Sequence, residues 1–281
     1  MAPRGRPILT REETAAARPL ARIEAQVIRC TRCPRLVLWR EEAARNPPRR
    51  FRGERYWARP LPAFGDPSAA ILLVGLAPAA HGGNRTGRIF TGDESGNFLF
   101  RALHAVGLAN QPLSIAPGDG LALSGAIVTA AVRCAPPDNR PLPEEFANCS
   151  GYLDAELAAL TGVRVLVALG ALAFATCLGA LERAGHPVPR PRPRFAHGAE
   201  YAIGPYRLLA TYHPSQQNTY TGRLTPAMLE EALRRAILAA SGGAASAPDR
   251  APTPARSPAR PRSPGGLSSK PRKPAPGRPS R

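Results

Sequence analysis

The sequence predicts an α/β protein with three-layer α/β/α architecture, a central four-stranded parallel sheet and a disordered basic C-terminal tail. Three observations predict this class. Residues 70–74, 126–132, 163–169 and 206–211 are almost wholly apolar, as strands covered on both faces must be. Segments of helical length and spacing alternate with them, which favours parallel strands with helices on both faces. Each apolar run then gives way to a loop rich in glycine, proline or polar residues, namely GLAPAAHGG, RCAPPDNRP, GALAF and YHPSQQN. In such sheets all four loops emerge at one edge, where ligands collect.

In chain order, residues 1–18 read as a flexible basic start. Residues 19–30 then form a helix with Ile23, Val27 and Ile28 on one face, delivering Cys30. After the first strand, residues 95–106 (SGNFLFRALHAV) have helical spacing, and the second strand precedes a helix over 143–160. The third strand is followed by a helix over 171–184, and a closing helix over 226–239 follows the fourth. The folded domain is expected to span 19–240. Residues 241–281 contain no aromatic and one large aliphatic, Leu267, too little apolar surface to offset the entropy of ordering.

Charge narrows the partner. The formal net charge is +18, of which the tail supplies +8 from nine Lys/Arg against Asp249. A strongly basic chain is drawn to polyanions through counterion release, so nucleic acid is the leading partner. Arginine-rich, alanine-rich composition also accompanies GC-rich genomes, and the motifs must decide. No run approaches the ~20 apolar residues that span a bilayer, and the first residues lack the apolar core of a signal peptide. A cytosolic protein without membrane association is expected.

Five cysteines in a reducing compartment point to metal ligation or burial rather than disulfides. Cys30 and Cys33 form a C-x2-C pair, and Cys134 and Cys149 follow the second strand with fourteen residues between them. Four such thiolates can hold tetrahedral zinc or an iron–sulfur cluster, and spacing does not choose between them. Pro34 suits a turn around a metal. Cys177, in LAFATCLG, reads as core.

Two long segments are dense in reactive side chains: GLAPAAHGGNRTGRIFTGD over 75–93 and YHPSQQNTYTGRLT over 212–225. Asp93 can support positive charge at a sugar C1' or orient water, and can equally cap the helix beginning near Ser95. His213, at the end of a strand, can donate to a carbonyl oxygen as charge develops there. Asn139 offers an amide donor and acceptor that match a pyrimidine edge, and Phe90 is its natural stacking partner; a turn residue and a core aromatic are the plain alternatives. The stretch after His213 suits a loop pressing into a duplex, with Arg223 on phosphate and an apolar residue filling the space of an extruded base. His104, His186 and His197 read as structural.

These two motifs closely resemble those of the family 5 uracil-DNA glycosylases, the UdgB type, and the similarity covers roughly residues 21–240. The resemblance implies a monofunctional glycosylase that flips uracil and other deaminated bases such as hypoxanthine out of double-stranded DNA and hydrolyses the N-glycosidic bond. It implies a structural [4Fe–4S] cluster on Cys30, Cys33, Cys134 and Cys149, and a monomer. It makes Asp93 the catalytic carboxylate, His213 the transition-state stabiliser and Asn139 a residue of both catalysis and base recognition. Gly75, Ala77, Ala79 and Phe90 would line the base pocket. His81, Asn84, Arg85, Ser215, Gln217, Asn218, Tyr220, Arg223 and Leu224 would face DNA. Leu76 and Ala77 stand where other superfamily members place Asp, Glu or Asn to direct water, which shifts that work to Asp93 or to stabilising the departing base. A non-catalytic iron–sulfur protein that binds damaged DNA is the competing expectation, and a hydrolase of free nucleotides is a third.

Overall fold

A computed structural model describes residues 11–242, with side chains from Ala17 onward. The expected tail therefore lies outside the described residues except for Ser241 and Gly242, as do residues 1–10. The elements are α1 (Arg11–Ile28), α2 (Pro34–Arg45), β1 (Phe64–Gly65), β2 (Ile71–Gly75), α3 (Gly83–Thr86), α4 (Glu94–Ala105) and β3 (Ala126–Ala130). They continue with α5 (Pro143–Ala159), β4 (Val165–Leu169), α6 (Ala171–Arg183), β5 (Glu200–Ile203), β6 (Tyr206–Thr211), α7 (Gln216–Tyr220) and α8 (Pro226–Ala240).

The sheet order is β1-β3-β2-β4-β6-β5. Its four central strands are parallel, as the apolar runs require, with Leu72 beside both Ile127 and Leu166, and Leu166 beside Leu208. The structure adds two short antiparallel edge strands, β1 on β3 and β5 on β6, that the sequence reading did not contain. Their half-exposed residues lack the apolar density that marks the centre. Period-two alternation divides the core into two layers. Leu73, Val128, Val167 and Leu209 meet Leu99, Phe100, Leu229 and Leu233 of α4 and α8. On the opposite face Leu72, Ile127, Leu166 and Leu208 meet Leu153, Phe174, Leu178 and Leu181 of α5 and α6. Each such leucine, removed from water, contributes about 1.5–3 kcal/mol.

Two boundaries differ from expectation. Helix α1 begins at Arg11 and runs through Pro19, so residues 11–18 are helical rather than part of a flexible start. Pro34 does not make a turn around the cysteine pair; it opens α2, where a missing N–H costs nothing. The four parallel strands all end at one sheet edge, and the loops leaving them hold the residues that the sequence singles out.

Candidate active site

Gly75 closes β2 beneath the ring of Phe90. A Cβ there would lie 2.7 Å from Phe90 Cε2, so the aromatic reaches the strand only because residue 75 has no side chain. Phe90 itself has φ +50, a left-handed conformation rare for a bulky residue and persistent only where the surroundings over-determine it. Its ring centroid lies 5.9 Å from that of His213, tilted by 34°. The loop after β2 then meets its own far end, since a Cβ on Gly82 would fall 1.9 Å from Asp93 Oδ2. Asp93 is the N-cap of α4, its Oδ1 accepting the Gly96 N–H at 2.8 Å. Burial raises its carboxyl above the usual carboxylate range, and the Gly96 and Ser95 amides partly offset this.

His213 lies two residues beyond the end of β6. Gly170, at φ +102 beyond β4, passes beside it, and a Cβ on Gly170 would sit 3.3 Å from the His213 Cβ. Burial holds the imidazole down at about 4, so the ring is neutral at physiological pH and keeps an N–H to donate. Its carbonyl accepts from Asn218 Nδ2 at 2.9 Å. Next to it, Tyr212 stacks on His197 with centroids 5.2 Å apart and lies 4.5 Å from the Arg223 guanidinium. The result sets an aromatic ring against a neutral imidazole, with Asp93 three residues beyond Phe90 on the same loop, groups able to stack a planar ring and to stabilise charge of both signs.

A sequence profile described as the uracil DNA glycosylase superfamily matches residues 62–237. The chain is 55% identical to a type-5 uracil-DNA glycosylase of Thermus thermophilus over 74% of this chain and 92% of that protein. It is 48% identical to a type-5 uracil-DNA glycosylase of Mycobacterium tuberculosis, over 77% of this chain and 80% of the relative. A type-5 uracil-DNA glycosylase of Pyrobaculum aerophilum is 47% identical over 75% of this chain and 89% of its own length. The chain belongs to the type-5 uracil-DNA glycosylases.

Within this type-5 glycosylase, other expected site residues are distributed unevenly. Ala77 and Ala79 are half-buried; Ala77 packs against the cysteine corner, and the Ala79 carbonyl accepts the amides of Gly82 and Asn84. Asn139 is exposed on the loop after β3 at φ +55, a conformation asparagine tolerates, beside Asp138 at φ +54. His81 is half-buried with its Nδ1 3.0 Å from the Tyr56 hydroxyl, and burial together with Arg50 and Arg85 lowers its pKa. In the second motif Ser215 and Asn218 are half-buried, Gln217 and Arg223 are exposed, and Tyr220 is 76% exposed.

Three residues expected to face DNA are placed otherwise. Leu224 is fully buried with α4 and α8, so it is a core leucine; the protruding large side chain of that loop is Tyr220. Asn84 is 1% exposed and donates to the carbonyls of Arg40 and Ala80, a brace inside the loop. Arg85 is occupied: it pairs with Glu54 at 2.7 Å, donates to the carbonyls of His81 and Gly92, and lies over Phe51. Polarity alone made these residues look solvent-facing, and tertiary partners consume it.

Cys33, Cys134 and Cys149 pack around Leu36 and Val132 where the start of α2, the loop after β3 and α5 meet, and Cys30, just past α1, packs against the neighbouring Ile23, Val27 and Tyr152. Among the described residues no three His, Cys, Asp or Glu side chains converge on one metal-ion position. The buried Arg40 aims Nη1 at Cys134 Sγ at 3.2 Å, Asn148 Nδ2 lies 3.5 Å from Cys33 Sγ, and the Arg35–Glu145 pair at 2.8 Å joins α2 to α5 alongside. Cys177 is fully buried in the α6 core, as its apolar setting predicts.

Sequence reasoning missed Arg88, Ser114 and Asp119, which lock together beneath the Asp93 loop. The PGDG string at 117–120 reads as a plain turn, and nothing local announces that its aspartate turns inward. His197 also does more than fill a connection, since its Nδ1 lies 3.4 Å from the Tyr212 amide nitrogen at the end of β6.

Proposed function

We propose that the chain is a monofunctional DNA glycosylase that extrudes uracil, and other deaminated bases such as hypoxanthine, from double-stranded DNA and hydrolyses the N-glycosidic bond. The observation that supports this most is the close approach of Phe90 and His213 across glycines 75 and 170. Phe90 stacks on the extruded base. The neutral His213 donates to a base carbonyl as the departing base becomes anionic, and ionised Asp93 stabilises the oxocarbenium-like sugar before water adds. Asn139, exposed on the loop after β3, reads the base edge. Extrusion itself costs a few kcal/mol, less at a mismatch, and this favours deaminated sites.

A [4Fe–4S] cluster at the cysteine corner is part of this reading. Among the described residues Arg40 is buried without a carboxylate partner, and a buried guanidinium requires negative charge nearby; its contact with Cys134 Sγ points to ligated thiolates as that charge. Cys30, Cys33, Cys134 and Cys149 would hold the group, which would cross-link four chain segments. The domain acts as a monomer, and the basic tail adds salt-sensitive attraction to DNA.

The test is alkali-revealed strand cleavage of duplex DNA bearing one uracil or hypoxanthine, wild type beside Asp93→Ala. Cleavage by wild type alone is expected. Intact DNA after incubation with folded, cluster-loaded wild type would leave a damage-binding protein without glycosylase activity.

A further inference from the structure

We infer that Arg88 and Asp119 are positioning residues for the Phe90–Asp93 turn, acting on cleavage rather than on DNA affinity; this rests on the glycosylase reading above. Arg88 is 6% exposed and uses its whole guanidinium. Nη1 and Nη2 donate to Asp119 Oδ1 and Oδ2 at 3.0 and 2.6 Å, Nη2 also to Ser114 Oγ at 2.8 Å, and Nε to Thr91 Oγ1 at 3.0 Å. Thr91 and Ser114 hydroxyls are 2.6 Å apart. Asp119 in turn accepts the amides of Ile115, Ala116 and Leu121, which fixes the loop that carries Ser114. The Ser114 carbonyl then accepts the Gly92 N–H at 3.1 Å, one residue before Asp93.

Two features make this more than a stabilising ion pair. The segment it grips holds Phe90 at φ +50, a conformation that a bulky residue keeps only when external contacts over-determine it, two positions before Gly92 at φ +77. The Gly92 peptide is also held from its other end, where its carbonyl accepts from Arg85 Nη2 at 3.0 Å. Among the described residues Arg88 and Asp119 make no side-chain bond to His81, Ser215, Gln217, Asn218, Tyr220 or Arg223, so loosening them moves Phe90 and Asp93 without breaking a bond to those side chains.

The experiment uses the full chain with its cluster and separates chemistry from binding. Single-turnover cleavage at saturating enzyme and the dissociation constant for the same uracil duplex are measured for wild type, Arg88→Lys, Asp119→Asn and Ser114→Ala, well below each variant's melting temperature. Arg88→Lys and Asp119→Asn are expected to slow cleavage about 10- to 100-fold, the scale of ångström misplacement, with the dissociation constant within about twofold of wild type. Ser114→Ala keeps the ion pair, so it tests the proposal even if the other two fail to fold; its cleavage is expected to slow several-fold. Wild-type rates in the folded variants, or a loss confined to DNA affinity, would overturn the positioning role. Failure of wild type to cleave in the same series would instead sink the glycosylase reading.

Discussion

The two loops that carry the proposed catalytic groups are built on opposite plans. The loop after β2 folds back on itself: glycines 75 and 82 admit Phe90 and Asp93, Arg85 grips its backbone, Arg88 holds the Thr91 hydroxyl, and Asn84 is buried inside it. Beyond His213, the loop after β6 is held mainly by short-range bonds, such as Thr221 Oγ1 to the Gln217 carbonyl at 2.6 Å and Gln216 to the Tyr220 hydroxyl at 3.2 Å, and it presents Tyr220 to solvent. The contrast teaches a division of labour. In the proposed mechanism the first loop would fix atoms for chemistry, and the second would leave side chains free to meet DNA.

Substitutions that fill the first loop should therefore act on rate, and the largest effect is expected from Gly82→Ala. Its methyl would collide with Asp93 Oδ2, and displacing that carboxylate by about an ångström should slow cleavage a hundredfold or more. Binding of the uracil duplex should change little. A near-normal single-turnover rate in this variant would dissolve the contrast between the loops.

Asp93→Asn sharpens the same comparison through stability. The folded-state pKa of Asp93 is raised, so the ionised form is disfavoured in the folded protein; that cost is present above the folded pKa and vanishes below the unfolded value. Asparagine keeps the cap on α4 and removes the cost, so melting at neutral pH should rise while cleavage is lost. Asp93→Ala forfeits the cap as well, about 1 kcal/mol. Wild-type cleavage should fall on acidification through a midpoint above the usual carboxylate value, and His213, neutral above about 4, adds no change through neutral pH. A Tm for Asp93→Asn below that of wild type would show that the loop favours the charge.

The smallest expected effect lies in the open loop. Tyr220→Ala removes a mostly exposed ring, so Tm should stay within about a degree, surface changes usually being worth under 0.5 kcal/mol. Affinity for the uracil duplex should weaken by about 1 kcal/mol or somewhat more if the ring stacks on a base. An unchanged dissociation constant would remove Tyr220 from the DNA-contacting surface.

The parallel sheet was legible because β2, β3 and β4 are buried throughout, as is most of β6, and these strands are therefore largely apolar. The edge strands were not, since β1 is two residues long and β5 is half exposed. Asp93, Phe90 and His213 stood out because glycine, proline and polar residues cluster around them. Leu224, Asn84 and Arg85 misled for a common reason: a motif shows which residues share a loop, and only the fold shows which way each one turns. Arg88 and Asp119 are thirty-one positions apart, and no local pattern joins them.

The cap on α4 has a spectroscopic consequence. Because the Gly96 N–H points directly at Asp93 Oδ1, its proton resonance should move downfield as the carboxylate loses its proton. Glycine amides also fall in an uncrowded region of the nitrogen dimension. The helix thus carries its own indicator dye, readable by titration on the resting protein with no DNA in the tube and no turnover.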